Sequence, residues 1–227
     1  MNDKNLRRMA AAEAEVIAAH FGVSSSDSHS DSSDSTARKI WNKLCAAGLT
    51  EAGAAGLMGN LKAESDLEPQ NVQNSFERKL GYDDRGYTEA VDFGSYTNFA
   101  NDGAGYGLAQ WTYPARKAAL LAFAKAQKKS VGDLDMQLEF LLHELRSDYP
   151  ALLRQLCTTD DVRVASDAVL TQFERPADMS ESVKIKRAGF AEAFLWEFGG
   201  QEDAVADALQ GVLEIGGKRY EVTLIEV

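Results

Sequence analysis

The sequence predicts a predominantly helical α+β domain, with one small β-rich or irregular lobe set among the helices and a short β-hairpin at its C-terminal end. Three observations predict it. Apolar residues recur at helical spacing through most of residues 37–198. Residues 72–105 break that period, crowding Gly, Asn, Asp, Tyr, Phe and Thr together. The final residues alternate apolar and polar around Gly216-Gly217, a two-residue hairpin signal. With 227 residues, 44% of them apolar, the chain suffices for one main domain and a sizeable core without disulfides.

Residues 1–23 carry Leu6, Met9, Val16 and Ile17 at amphipathic spacing, read as a helix too short to make a core alone, with a frayed terminus as the alternative. Residues 24–36 form a flexible linker, because their SSSDSHSDSSDS run of eight Ser, three Asp and one His has nothing to bury. A first domain helix, Lys39 to Ala47, stops at Gly48. Thr50 caps a second that runs through Lys62 with Leu57, Met58 and Leu61 on one face. Tyr113-Pro114 opens a third, and Asp133 a fourth in which Leu134, Leu138, Leu141 and Leu145 recur. Pro150 to Leu156 and Val162 to Phe173 follow, and Ser180 caps a last helix bearing Phe190, Phe194 and Phe198. Residues 199–227 make an extension whose final strand is a template for pairing and suits an assembly contact. A helical domain interrupted once by an irregular lobe points to a cleft.

Charge and special residues remove several function classes. The balance of 24 basic and 35 acidic residues, −11 net, argues against nucleic-acid partners and against docking to an anionic membrane or wall by charge alone. Most of that excess sits in the extensions, since residues 37–198 carry 19 basic and 23 acidic side chains. No apolar run is long enough to cross a bilayer, and Glu13, Glu15 and His20 interrupt the one stretch resembling a secretion signal. Cys45 and Cys157 read as buried thiols, and His20, His29 and His143 are too scattered for a zinc site; no metal or cofactor is expected. In Gly103-Ala-Gly105-Tyr-Gly107 the third glycine of a dinucleotide loop would fall at Leu108, which excludes that site.

The residue that remains is Glu64. It stands where an apolar helix face runs into the turn Ser65-Asp-Leu-Glu-Pro69. A carboxyl held there, half walled by apolar groups, keeps a proton near neutral pH and can protonate a glycosidic oxygen. The alternative is a surface glutamate in a last helical turn.

Glu64-Ser65-x-Leu67-x-Pro69, followed by Gly107-Leu108-Ala109-Gln110, resembles the paired motifs of soluble lytic transglycosylases and goose-type lysozymes. The phage tail-tip lysozyme family is more similar still. Its pattern is visible in Ile40-Trp41, Gly53-Ala-Ala-Gly-Leu-Met-Gly-Asn60, Leu80-Gly81-Tyr82, Tyr96-Thr-Asn-Phe99, Ala104-Gly-Tyr-Gly-Leu-Ala-Gln-Trp111 and Gln172-Phe-Glu-Arg-Pro-Ala-Asp178. The resemblance implies a lysozyme-like two-lobed fold, a helical lobe and a small β lobe with a glycan groove between them. It implies Glu64 as general acid, and Gly107 and Gln110 at the groove's border, with Ser65 beside the acid. Tyr106 and Trp111 offer flat faces for pyranose rings, or else belong to the core.

For a second carboxylate the resemblance points to Asp102, one residue out of register with goose-type relatives. Asp92, on a predicted strand of the small lobe, is the other candidate. Either would steady an oxocarbenium-like transition state or orient water; without one, attack by the substrate's own 6-hydroxyl is preferred. Glu174 and Arg175, before Pro176, read as an ion-paired corner, with the groove as the alternative. The implied activity is a muramidase cleaving the β-1,4 bond from N-acetylmuramic acid to N-acetylglucosamine in peptidoglycan. A lytic transglycosylase is the runner-up, and a non-catalytic glycan-binding tail component is the reading from another class. The resemblance also implies a virion or tail-like particle, with tail proteins met through the termini, and an acidic enzyme facing an anionic wall favours such tethering.

Overall fold

The computed structural model describes residues 30–200, 209–215 and 218–224. The expected N-terminal helix and residues 24–29 of the expected linker lie outside these. Nine α-helices run in order among the described residues: α1 Ser30–Ala46, α2 Glu51–Ser65, α3 Asn74–Leu80, α4 Asp84–Asp92, α5 Pro114–Gln127, α6 Leu134–Ser147, α7 Pro150–Leu156, α8 Val162–Val169 and α9 Glu181–Phe198. Strands β1, Leu209–Ile215, and β2, Lys218–Leu224, pair antiparallel with Ile215 opposite Lys218. The chain is predominantly helical. No helix among the described residues is long and apolar enough to cross a membrane.

Local chemistry sets the boundaries. Thr50 Oγ1 accepts the Gly53 amide at 2.9 Å and so starts α2. Asp83, Asp133 and Asp161 cap α4, α6 and α8 in the same way. Ser180 precedes α9 without a capping bond from its side chain. Helix α1 takes in Lys39–Ala46 of the first expected helix and stops before Gly48, which takes φ 96°.

Helix α2 is the central element: 11 of its 15 residues are buried. Three glycines on it, Gly53, Gly56 and Gly59, cost about 1 kcal/mol each in helix propensity. They are kept by close approach. A Cβ at Gly53 would fall 2.0 Å from Leu156 O, at Gly56 2.5 Å from Ala165 Cβ, and at Gly59 2.6 Å from Arg187 O. Helix α2 therefore meets the end of α7, the middle of α8 and the middle of α9 backbone to backbone. Around it Ile40, Trp41 and Leu44 of α1, Leu138, Leu141 and Leu145 of α6, and Phe194 and Phe198 of α9 complete one core.

Residues 72–105 correct an expectation. They hold α3, α4 and a short 3-10 turn, Phe99–Asn101, and not a β lobe; two single β-bridges, Val72 to Tyr106 and Tyr106 to Trp111, are the extended pairings there. The Asp83 cap and the spacing of buried Tyr87, Thr88, Ala90 and Val91 make α4 helical. Asp92 accordingly ends a helix and does not lie on a strand.

Candidate active site

The end of α2 is a built corner. Asp66 and Leu67 both take left-handed backbone, φ 60° and 63°, rare for two non-glycine residues in a row. The Asp66 amide bonds Lys62 O at 3.0 Å and closes the helix, leaving Glu64 and Ser65 in its last turn. Ser65 Oγ donates to Leu108 O at 2.9 Å, so the acid-bearing helix is tied to the Gly107–Gln110 loop.

The Glu64 side chain is 20% exposed, and its Oε1 accepts from Arg187 Nη2 at 2.5 Å. Arg187, 10% exposed, reaches it from α9. Its Nη1 donates to Asn60 Oδ1 at 3.2 Å, one helical turn before Glu64. The Asn60 amide nitrogen in turn donates to Gly56 O at 2.9 Å and Ser166 O at 3.1 Å. A continuous chain, Ser166 to Asn60 to Arg187 to Glu64, thus fixes the carboxyl.

A second acid faces this group from α8's end. After Val169 the helix widens into one π turn, Leu170–Glu174, closed by the Arg175 amide bonding Leu170 O at 2.8 Å. Arg175 takes φ 48°, which lets the chain turn into Pro176. Such widened turns are frequent at functional sites. Glu174 is brought within electrostatic reach of Glu64, Arg187, Arg116 and Glu144, while its Oε1 is shut off from solvent without a hydrogen-bond partner. Burial first, and then the Glu64 charge, push the Glu174 carboxyl up to about 8 against the pull of Arg116 and Arg187. It makes no ion-paired corner with Arg175, which is exposed.

Arg116 completes the cluster. It grips Glu144 with two bonds, Nε to Oε1 at 2.8 Å and Nη2 to Oε2 at 2.9 Å, and lies over the Phe173 ring at 4.7 Å. Among the described residues no group of three His, Cys, Asp or Glu side chains is placed to hold a metal ion.

The other expected site residues have different surroundings. Trp111 is fully buried and donates from Nε1 to Glu144 Oε2 at 2.7 Å. Tyr106 is fully buried with its hydroxyl 2.7 Å from Thr88 Oγ1. Both pack in the core and present no face to a sugar. Gly107 has φ 73° and would drive a Cβ to 2.6 Å from Gln137 Oε1. Gln110 turns inward, its Nε2 bonding Asn71 Oδ1 at 2.8 Å and Asn71 O at 3.1 Å.

Asp102 is 1% exposed beside Lys117, which is fully buried. Its Oδ1 accepts from Lys117 Nζ at 2.7 Å and from the Ala104 amide at 2.9 Å, and its Oδ2 accepts from Tyr87 and Tyr96 hydroxyls. Asp92 bonds Ser130 Oγ at 2.5 Å and the Val131 amide at 2.9 Å. Neither carboxylate joins the Glu64 cluster, because each is consumed in tying loops together.

Sequence reasoning missed Arg187, Asn60, Arg116 and Glu144. One signal was present: Arg187 shares the buried stripe of α9 with Ala191, Phe194 and Phe198, an odd place for a charge.

The family model for phage tail lysozyme matches residues 35–198, a span that contains Glu64, Glu174 and Arg187. Comparison with curated proteins found no match.

Proposed function

From the chain's membership in the phage tail lysozyme family, we propose that it is a peptidoglycan glycosidase cleaving the β-1,4 bond between N-acetylmuramic acid and N-acetylglucosamine, with Glu64 as the general acid. The observation that carries the reading is the placement of Glu64. It is a partly exposed carboxyl at the end of the most buried helix, fixed by Arg187, with a second acid in electrostatic reach whose carboxyl burial pushes upward. Glu64 gives its proton to the bridging oxygen as the C1–O bond breaks, and the bond's electrons go to the leaving O4. Positive charge then builds on the muramic C1 and ring oxygen. Glu64, now a carboxylate, takes the proton of the nucleophile that attacks C1, completing hydrolysis when that nucleophile is water.

A second reading has its own support. Asp102 and Asp92 are engaged elsewhere, so neither is free to orient water at the bond. That favours attack by the 6-hydroxyl of the muramic acid itself, giving a 1,6-anhydro product with the same acid and base at Glu64. Delivery on a virion or tail-like particle, locally opening the wall, is the setting we propose for either chemistry.

The test is incubation of the full chain and its Glu64→Gln variant with several peptidoglycans, the released sugars being identified by mass spectrometry. Reducing muropeptides from the native protein alone support the hydrolase, and anhydro-muropeptides the transglycosylase. Release by both proteins removes Glu64 from the reaction. Wall binding without release by either leaves the non-catalytic glycan-binding reading.

A further inference from the structure

At the junction of α2, α5, α6, the π turn and α9, Glu64 pairs with Arg187 and Glu144 with Arg116, and the Glu174 carboxyl lies within electrostatic reach of all four. Fully ionised, the cluster carries one uncompensated negative charge in a place that is largely closed to water. Burial of an unpaired charge is costly, and one bound proton removes it. The three carboxyls are not equivalent takers of that proton. Glu144 receives three donors, two from Arg116 and one from Trp111, all of which bond its carboxylate form. Glu64 is bonded by Arg187. Among the described residues Glu174 has no such donor, and its buried Oε1 is unsatisfied.

We propose that Glu174 is the proton-storing partner of Glu64: one proton rests on Glu174 and is relayed through water to Glu64 for delivery to the glycosidic oxygen. This role rests on the reading of Glu64 as the general acid. The transfer is balanced, since Glu174 becomes a carboxylate as the Glu64 carboxylate becomes an acid. Arg116 and Arg187 both stabilise the Glu174 anion that results. The resting position of the proton agrees with the upward displacement of Glu174 to about 8. The proton that Glu64 then takes from the attacking nucleophile replaces the one given to the substrate, and its return to Glu174 restores the resting state. The storage also explains the π turn. A regular continuation of α8 would rotate residue 174 by the one residue that the widened turn inserts, away from this junction.

Two measurements on the full chain test it. The first is the pH dependence of kcat/KM on peptidoglycan for the native protein and Glu174→Gln. Gln keeps the shape but stores no proton, so the alkaline limb moves at least one pH unit toward acid, about a fivefold loss or more at pH 8 and about tenfold or more at pH 9. An alkaline limb at the same pH in both proteins, whatever the change in rate, overturns the role. The second is infrared difference spectroscopy between pH 6 and pH 9, which needs no turnover. The native protein shows a carboxylic-acid C=O band that disappears as the pH passes about 8, and Glu174→Gln lacks it. Cleavage by a native protein without that band overturns proton storage and leaves the glycosidase reading intact. A band without cleavage of any wall overturns the glycosidase reading and, with it, delivery to a substrate, while upholding the stored proton.

Discussion

Replacing Asp102 by Asn separates a structural acid from a catalytic one. In the native protein Lys117 and Asp102 are both closed to solvent, and the carboxylate collects the ammonium, two tyrosine hydroxyls and the Ala104 amide. Desolvation already holds the Lys117 ammonium below its usual range, with Asp102 opposing that pull. Breaking one side of such a buried pair costs about 3–5 kcal/mol, because the partner charge is left uncompensated. Asn keeps an acceptor for Ala104 and Lys117, which sets the loss at the lower end, about 3 kcal/mol. For a domain of this size that lowers Tm by about 6–12 °C. The assay is thermal unfolding beside the rate of sugar release, measured well below Tm and expressed per folded molecule. The expected result is a large fall in Tm with kcat within about threefold of native. An unchanged Tm with kcat reduced a hundredfold or more refutes the reasoning and returns Asp102 to the reaction.

Other outcomes follow from the packing. Gly56→Ala puts a methyl 2.5 Å from Ala165 Cβ and 2.7 Å from the Ser166 amide nitrogen, so α2 and α8 must part. The expected cost is about 1–3 kcal/mol, read as a lower urea midpoint, and an unmoved midpoint contradicts the close approach. Trp111→Phe removes the Nε1 bond to Glu144 and costs about 1.5–3 kcal/mol, with KM for peptidoglycan unchanged. A tenfold rise in KM at native stability would make Trp111 a sugar platform after all.

Helical periodicity and caps made most of the fold legible. Gly48, Thr50, Pro114, Asp133 and Pro150 mark boundaries that the structure keeps within a few residues. The short helices at Asn74 and Asp84 were illegible because aromatic and small polar residues are common to turns and strands. The helix at Asp84 depends on the Asp83 cap and on the Tyr82, Tyr87, Tyr96 and Phe99 cluster, which forms only in three dimensions. The candidate site was legible at Glu64, where a periodic face runs into a proline-ended turn. Its companions were hidden by distance along the chain, since Arg187 lies 123 residues away and owes its place to the glycine seam between α2 and α9. The motif glycines and aromatics were visible as a pattern, but a pattern does not say which way a ring faces. Tyr106 and Trp111 face inward.

The seam at Gly53, Gly56 and Gly59 has a practical consequence for anyone altering this protein. Side chains can repack around an error, whereas two backbones in contact have no spare freedom with which to absorb it. A substitution that thickens or thins α8 or α9 beside the seam shifts α2 as a rigid rod, and Glu64 rides at the rod's tip. Damage to turnover should therefore precede damage to the fold when mutations accumulate along that face. Surface positions on α5 and α6, away from the seam, are the safer places to seek thermal tolerance.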